Sequence, residues 1–146
     1  MKKLLLKIMR TIRFLFYRNL NIEEQLTIAS FIDNKSLLSL YWKMAKPDRQ
    51  HSFEVFKRTK KQTNDKELLL LSLFHDIGKS KIDAGLFFRI FTDLGLIKSI
   101  KSKTYLEHEE AGLSILQENN IDKSIIEFYK NNLLNQKNII LNKTDF

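Results

Sequence analysis

The chain has 146 residues, enough for one domain that buries a hydrophobic core without disulfide support. It contains no cysteine, which excludes thiolate metal sites and disulfide scaffolds, and its single proline and four glycines favour an all-α fold. The net charge of +8 is concentrated near the start, because residues 1–18 hold six basic and no acidic residues while the remainder carries 19 bases and 17 acids. Any strongly basic interaction therefore belongs to this first segment.

Residues 2–18 are predicted to form a basic amphipathic helix. On a helical wheel the apolar side consists of Leu4, Leu5, Ile8, Met9, Ile12, Leu15 and Phe16, and the basic residues lie opposite. The segment is too short and too charged to span a bilayer, and Lys7 interrupts the apolar run that a signal peptide needs. Three interpretations stay open: packing of the apolar side on the other helices, peripheral attachment to an anionic membrane, or contact with nucleic acid.

Three more helices are predicted before the centre of the chain. Asn21 and Glu24 have the spacing of a capping box, which marks the start of a helix. Proline suits the first turn of a helix, so Pro47 marks another start. The predicted segments are a helix from Ile22 to about Ile32, a helix over 37–44, a helix that begins near Pro47 and holds His51, and a polar connection over 57–66.

The stretch 68–74 is apolar apart from Ser72 and is followed by His75, Asp76, Gly78 and Lys79. A helix that is apolar on every side is normally buried at the centre of a bundle. Leaving a buried imidazole and a buried carboxylate unpaired would cost several kcal/mol. His75 and Asp76 therefore need partners, which are either side chains or a metal ion.

The second half of the chain is predicted to add two helices and two apolar segments. We expect Asp65 to cap the central helix. The later segments are an apolar run over 84–91, a helix over 105–116, a helix capped by Asp122 that ends near Tyr129, and a last segment over 138–145.

The three histidines of the chain, His51, His75 and His108, each lie on a different predicted helix. A divalent ion bound by imidazole and carboxylate needs ligands from several helices that converge on one cavity. His75 and Asp76 alone are a weak signal, because adjacent helical residues point about 100° apart. The pair is a stronger signal for a metal site at a helix end, where Gly78 frees the backbone to bend. From these residues alone, a satisfied core pair and a metal site both stay open.

Three blocks of the sequence resemble the HD-domain superfamily of metal-dependent phosphohydrolases. They are Arg49-Gln50-His51-Ser52, then Leu73-Phe74-His75-Asp76-Ile77-Gly78-Lys79, and then His108-Glu109-Glu110-Ala111-Gly112. The His-Asp-Ile-Gly-Lys string is the most specific piece, and the order and spacing of the blocks match as well. The resemblance covers residues 45–145 and implies a single-domain helical bundle of the HD type over 21–146, preceded by the basic amphipathic helix in 1–20.

The resemblance implies that His51, His75, Asp76 and a late aspartate bind one metal ion. The string 139–145 resembles the apolar last helix of the family, which ends in aspartate. Asp145 is therefore the expected fourth ligand, in preference to Asp122, which resembles a helix cap.

His108 resembles the histidine that family members with two metals use for the second ion. Those members add a further histidine in the next helix, where this chain has Tyr129-Lys130-Asn131-Asn132. His108 is thus a candidate for a second metal or a phosphate contact, as is Arg49 for the phosphate. In the implied chemistry Asp76 binds the metal and orients water, and Lys79 stabilises charge on the phosphate. A solvated lysine at a helix end is an equally open interpretation of Lys79.

The implied activity is hydrolysis of a phosphate monoester or anhydride, with a nucleotide as one such substrate. Mixed imidazole and carboxylate ligands suit Mn²⁺, Fe²⁺, Co²⁺, Ni²⁺ or Zn²⁺ better than Mg²⁺. One alternative is a catalytically degenerate HD module that binds metal or nucleotide and regulates a partner. Another is a helical interaction or peripheral-membrane protein. We expect a cytoplasmic protein that can contact an anionic membrane through residues 2–18, and we do not expect nucleic acid as its partner.

Overall fold

The computed structural model describes residues 2–82 and 85–146, with only the backbone described for Lys2, Lys3, Leu4, Arg10, Phe14 and Leu86. Within these residues the chain is helical and has no β-strand, which confirms the all-α prediction. Ala84, the first residue of the predicted apolar run, lies outside the described residues. The helices are α1 Lys2–Leu15, α2 Ile22–Phe31, α3 Lys35–Lys43, α4 Lys46–Lys60, α5 Lys66–Phe74, α6 Leu86–Asp93, α7 Ile100–Leu106, α8 His108–Glu118, α9 Lys123–Tyr129 and α10 Ile139–Thr144. A 3-10 segment, Ile77–Lys81, follows α5, and a π-helical turn, Lys130–Asn135, follows α9.

Helices α2 and α5 have the caps that the sequence predicts. The side chain of Asn21 accepts a hydrogen bond from the Glu24 backbone at 2.8 Å, and Glu24 accepts one from the Asn21 backbone at 3.0 Å. The Asp65 carboxylate accepts hydrogen bonds from the backbone N–H groups of Glu67 and Leu68. Both caps satisfy backbone donors that a helix start leaves without an intrahelical partner.

Three helices differ from the predictions by more than two residues. α1 ends before residue 18. α4 continues through Lys60, into the predicted polar connection, because Phe56 and Thr59 on its inner side are buried. The predicted helix over 105–116 is instead the end of α7 followed by α8, which meet at Glu107.

Helix α5 lies in the hydrophobic core and packs along α4. The prediction of a buried central helix is therefore confirmed. Since His51 lies on α4 and His75 directly follows α5, this packing brings the two imidazoles together, with ring centroids 5.4 Å apart. The buried apolar side chains of α5 are Leu68, Leu69, Leu71, Leu73 and Phe74.

Helix α8 packs closely on the 3-10 segment at two glycines. A Cβ at Gly78 would overlap the backbone carbonyl oxygen of His108, and a Cβ at Gly112 would overlap the hydroxyl of Tyr129. The chain leaves the α-helical conformation at Asp76, where φ is −98° and ψ is 7°. Gly78 therefore provides space for α8 rather than the bend that we expected of it.

Helix α10 is fixed against α4 by hydrogen bonds, of which the one between two threonine hydroxyls is buried. The hydroxyls of Thr59 and Thr144 are 2.9 Å apart and both side chains are fully buried. The guanidinium of Arg58 donates to the carbonyl oxygens of Thr144 at 3.1 Å and Phe146 at 2.8 Å. These contacts hold Asp145, which lies between Thr144 and Phe146, beside α4.

Helix α1 turns its apolar side away from the rest of the protein. Its apolar side chains from Leu5 to Leu15 that the structure describes are between 40% and 59% exposed. The interpretation that this side packs on the other helices is therefore wrong for these residues.

In the part of the chain that the structure describes, no helix combines the length and apolar character needed to cross a bilayer.

Candidate metal centre

The imidazole of His75 has one nitrogen fixed and one without a partner. Its Nδ1 lies 2.8 Å from the carbonyl oxygen of Ser72, which can only accept, so Nδ1 carries the hydrogen and donates it. Nε2 is buried and has no hydrogen-bond partner among the described residues. A ring held through one N–H on a backbone carbonyl, with the other nitrogen free, is the usual arrangement of a metal-binding histidine.

Two carboxylates lie in front of that nitrogen. Nε2 of His75 is 3.6 Å from Oδ2 of Asp76 and 3.5 Å from Oδ1 of Asp145. Nε2 of His51 is 2.9 Å from the same Asp145 oxygen and 3.8 Å from the same Asp76 oxygen. The structure thus brings together all four residues that the sequence predicts as ligands of one metal.

The electrostatics of this cluster keep both of its carboxylates charged. Burial acts to raise the pKa of Asp76, but Lys79 and His75 outweigh it and hold the pKa well below its usual value. Burial also acts to raise the pKa of Asp145, and the two histidines lower it instead. Both carboxylates are therefore ionised near neutral pH. They in turn raise the pKa of His75 although burial acts to lower it.

The ligand types and their spacing fit a metal ion. His51, His75 and Asp76 are buried, and one ligand atom from each lies within 4.8 Å of the others. Burial lowers the pKa of His51 to about 4 despite its hydrogen bond with Asp145, so its ring is neutral near neutral pH. A neutral imidazole is the form that binds a metal. These three residues could therefore hold a metal ion.

Lys79 and His108 both contact Asp76. The ammonium of Lys79 donates to Oδ2 of Asp76 at 2.7 Å, and Nε2 of His108 lies 3.0 Å from Oδ1. Nδ1 of His108 faces the carbonyl oxygen of Tyr105 at 3.0 Å. Because both nitrogens of His108 face oxygen acceptors, hydrogen bonds to both require the doubly protonated imidazolium. Lys79 and His108 thus contact the two different oxygens of the Asp76 carboxylate.

Comparison with protein-family models, with curated proteins and with solved structures finds no match for this chain. What the site can do follows from its own geometry.

Arg49 does not reach the cluster in the way that we expected. Its guanidinium lies 5.5 Å from the ring centroid of Trp42, in a separate pocket that also includes Asn19 and Lys46. The reason is helical geometry, because residues two apart on α4 point about 200° apart and His51 faces the cluster. Arg49 therefore points away from the cluster.

Asp122 is exposed at the start of α9, and its side chain makes no capping hydrogen bond. Asp145 is the aspartate that lies beside His51 and His75. The preference for Asp145 over Asp122 agrees with these positions.

A polar cavity of about 710 Å³, counting its solvent-filled part, opens over the cluster. Two basic residues that the sequence analysis missed line it. Lys137 donates to Oδ2 of Asp145 at 2.7 Å. Arg13, from α1, donates to Nδ1 of His51 at 2.6 Å and to the carbonyl oxygen of Phe146 at 3.2 Å. No local motif marks either residue, because both reach the site only through the packing of distant segments.

The contact with Arg13 decides the tautomer of His51. A guanidinium can only donate, so Nδ1 of His51 must accept and the ring hydrogen lies on Nε2. That hydrogen faces Oδ1 of Asp145. To bind a metal through Nε2, His51 must move its hydrogen to Nδ1, and Arg13 must then give up its hydrogen bond. Arg13 therefore opposes metal binding at His51.

Proposed function

We propose that this chain is an HD-type helical protein that hydrolyses a phosphate monoester or anhydride with a divalent metal ion. The ligands would be His51, His75, Asp76 and Asp145. The observation that carries the proposal is the free Nε2 of buried His75, which faces two ionised carboxylates while Nδ1 is fixed on Ser72. Two imidazoles with carboxylates suit Mn²⁺, Fe²⁺, Co²⁺, Ni²⁺ or Zn²⁺.

A bound divalent ion supplies a Lewis acid that activates water and polarises a phosphoryl group. The residues around it would bind and orient the phosphate. Lys79, Lys137 and Arg13 line the cavity with positive charge that can receive phosphate oxygens. His108 also lines the cavity and can donate from Nε2 to a phosphate oxygen. Burial acts to lower the pKa of Lys79, but Asp76 and Asp48 raise it, so this ammonium stays charged.

Phosphate release tests the proposal. The wild-type protein with Mn²⁺ is offered a panel of nucleotides and simple phosphate monoesters, and inorganic phosphate is measured with and without a chelator. We expect release that the chelator stops and that the His75→Ala and Asp76→Ala double variant lacks.

The matched control is Asp122→Asn, which changes an exposed aspartate that does not line the cavity and should leave the rate unchanged. Asp145→Asn should lower it. A double variant that releases phosphate as fast as the wild type would contradict the proposal, as would a wild-type rate that the chelator does not change.

The second candidate is a degenerate HD module that binds metal or nucleotide and regulates a partner without turnover. The bond from Arg13 to His51, which opposes metal binding, favours it, as does the absence of a histidine at 129–132. This candidate predicts that a nucleotide raises the melting temperature while no product forms. The phosphohydrolase predicts both effects.

A further inference from the structure

The apolar side of α1 is a continuous exposed stripe. On a helix, residues three or four positions apart lie on one face, and this face of α1 points to solvent. Phe16, which directly follows α1, is exposed as well. The exposed fractions are Leu5 59%, Ile8 43%, Met9 47%, Ile12 51%, Leu15 48% and Phe16 78%.

Segments that neighbour α1 also expose apolar side chains. α1 packs beside α6, whose Phe87 and Phe91 are 70% and 41% exposed and stack with ring centroids 6.5 Å apart. The connection after α6 exposes Leu96 at 69%, and Ile100, the first residue of α7, is 89% exposed. Large apolar patches of this kind on a protein surface mark interaction sites.

The charges of these segments are almost all positive. Residues 1–18 contain no acid, and residues 94–106 contain three lysines and no acid. Lys101 extends over the ring of Phe88, at 5.0 Å from its centroid. The ammonium of Lys7 lies close to Gly95, because a Cβ built on this glycine would be 3.8 Å from it. Lys7 therefore lies where α1 approaches the connection after α6. Apolar side chains bordered by lysines are the composition of helices that lie in a membrane interface.

We propose that the exposed faces of α1 and α6, together with Leu96 and Ile100, dock on the surface of an anionic lipid bilayer. The apolar side chains would enter the boundary between headgroups and acyl chains, and the exposed lysines of residues 98–103 would contact the anionic headgroups. The proposal does not depend on the proposed phosphohydrolase activity.

Charge favours a bilayer over a second copy of the chain. In a two-fold dimer the same patch meets itself, so the lysines of one copy would face those of the other. An anionic membrane supplies both the opposite charge and an apolar phase. Nucleic acid supplies only the charge and would leave the exposed leucine, isoleucine and phenylalanine side chains in water.

Vesicle co-sedimentation tests the docking surface. Wild-type protein is mixed with vesicles of phosphatidylglycerol and phosphatidylcholine in equal amounts, and in parallel with phosphatidylcholine alone. We expect binding to the anionic vesicles that is at least about tenfold stronger and that weakens as salt rises from about 0.1 M to about 0.5 M. The Leu5→Gln and Ile12→Gln double variant should lower the partition coefficient by about tenfold or more.

The matched control is the Ile22→Gln and Leu26→Gln double variant, which makes the same changes at exposed positions of α2, 76% and 63% exposed. It should bind as the wild type does, and circular dichroism should show that both variants fold. The proposal is overturned if the wild-type protein does not bind anionic vesicles, or if the two variants lose binding equally. It is also overturned if sedimentation shows a wild-type dimer that the α1 variant abolishes while neither protein binds vesicles.

Discussion

The hydrogen bond between Arg13 and His51 sets which nitrogen of His51 carries the hydrogen, and this has a measurable effect on metal binding. Replacing Arg13 by alanine frees Nδ1, so that Nε2 can bind a cation without breaking a bond to the guanidinium. We expect Arg13→Ala to tighten Mn²⁺ or Zn²⁺ binding by about tenfold, as measured by isothermal titration calorimetry.

Arg18→Ala is the control for that measurement, because Arg18 pairs with Glu24 outside the cavity and its loss should leave metal affinity unchanged. Weaker metal binding by Arg13→Ala would mean that Arg13 supports the site instead of opposing metal binding at His51.

Individual residues differ in how far the sequence could reveal them. His75 and Asp76 stand out because they directly follow residues 68–74, which are apolar apart from Ser72. Asp145 could be proposed only from the resemblance to a family, since no local pattern links residue 145 to His51. Arg13 and Lys137 could not be found, because nothing near them in the sequence specifies which distant segment they meet.

At the scale of elements, the contact between α8 and the 3-10 segment depends on two glycines. A Cβ at Gly78 would overlap the carbonyl oxygen of His108, which is backbone and cannot turn away. Gly78→Ala should therefore destabilise the fold by about 2–3 kcal/mol, measured by urea unfolding.

Gly85→Ala is its control, because a Cβ there would meet no described atom within 4 Å. It should change the free energy of unfolding by less than about 0.5 kcal/mol. Equal effects of the two substitutions would show that close packing at Gly78 is not the cause.

The start of α2 gives a prediction about pH. Glu24 accepts hydrogen bonds from Arg18 and the Asn21 backbone, and these lower its pKa from 4.5 to about 2 although burial opposes them. A carboxyl whose pKa is lower in the folded state stabilises the fold above its unfolded pKa. That contribution is lost as pH falls from 4.5 towards about 2.

Glu24→Gln should therefore cost about 1 kcal/mol near neutral pH and almost nothing at the acid end, as measured by urea unfolding across that range. A Glu24→Gln cost that is constant with pH would contradict the assignment.

The presence of a helix was easier to predict than the residues at which it begins and ends. Capping residues identify the starts of α2 and α5 because the signal is local. The continuation of α4 through Lys60 depends on the buried contact of Thr59 with Thr144, which lies far away in the sequence. The side to which α1 turns its apolar residues likewise depends on packing, and the helical wheel alone could not decide it.

For the whole molecule, α1 connects the proposed docking surface to the candidate metal centre. Its outer side is apolar and exposed, while its Arg13 holds His51 in the tautomer that opposes metal binding. A bilayer that draws α1 outward would weaken this hydrogen bond. We therefore expect anionic vesicles to raise metal affinity by about fivefold or more, after subtraction of metal bound by the vesicles themselves.

Linkage requires that metal raise vesicle binding by the same factor. Arg13→Ala should remove the coupling and leave vesicle binding intact. If vesicles bind the wild-type protein and change its metal affinity no more than that of Arg13→Ala, the docking surface and the metal centre act independently.

Calorimetric titration with Mn²⁺ and Zn²⁺ tests most directly whether distant residues form one metal site. We predict that the wild-type protein and Asp122→Asn bind at least one of these ions, and that His75→Ala and Asp145→Asn bind it at least about tenfold more weakly. A wild-type protein that binds neither ion, or a His75→Ala variant that binds as tightly as the wild type, would contradict the central claim.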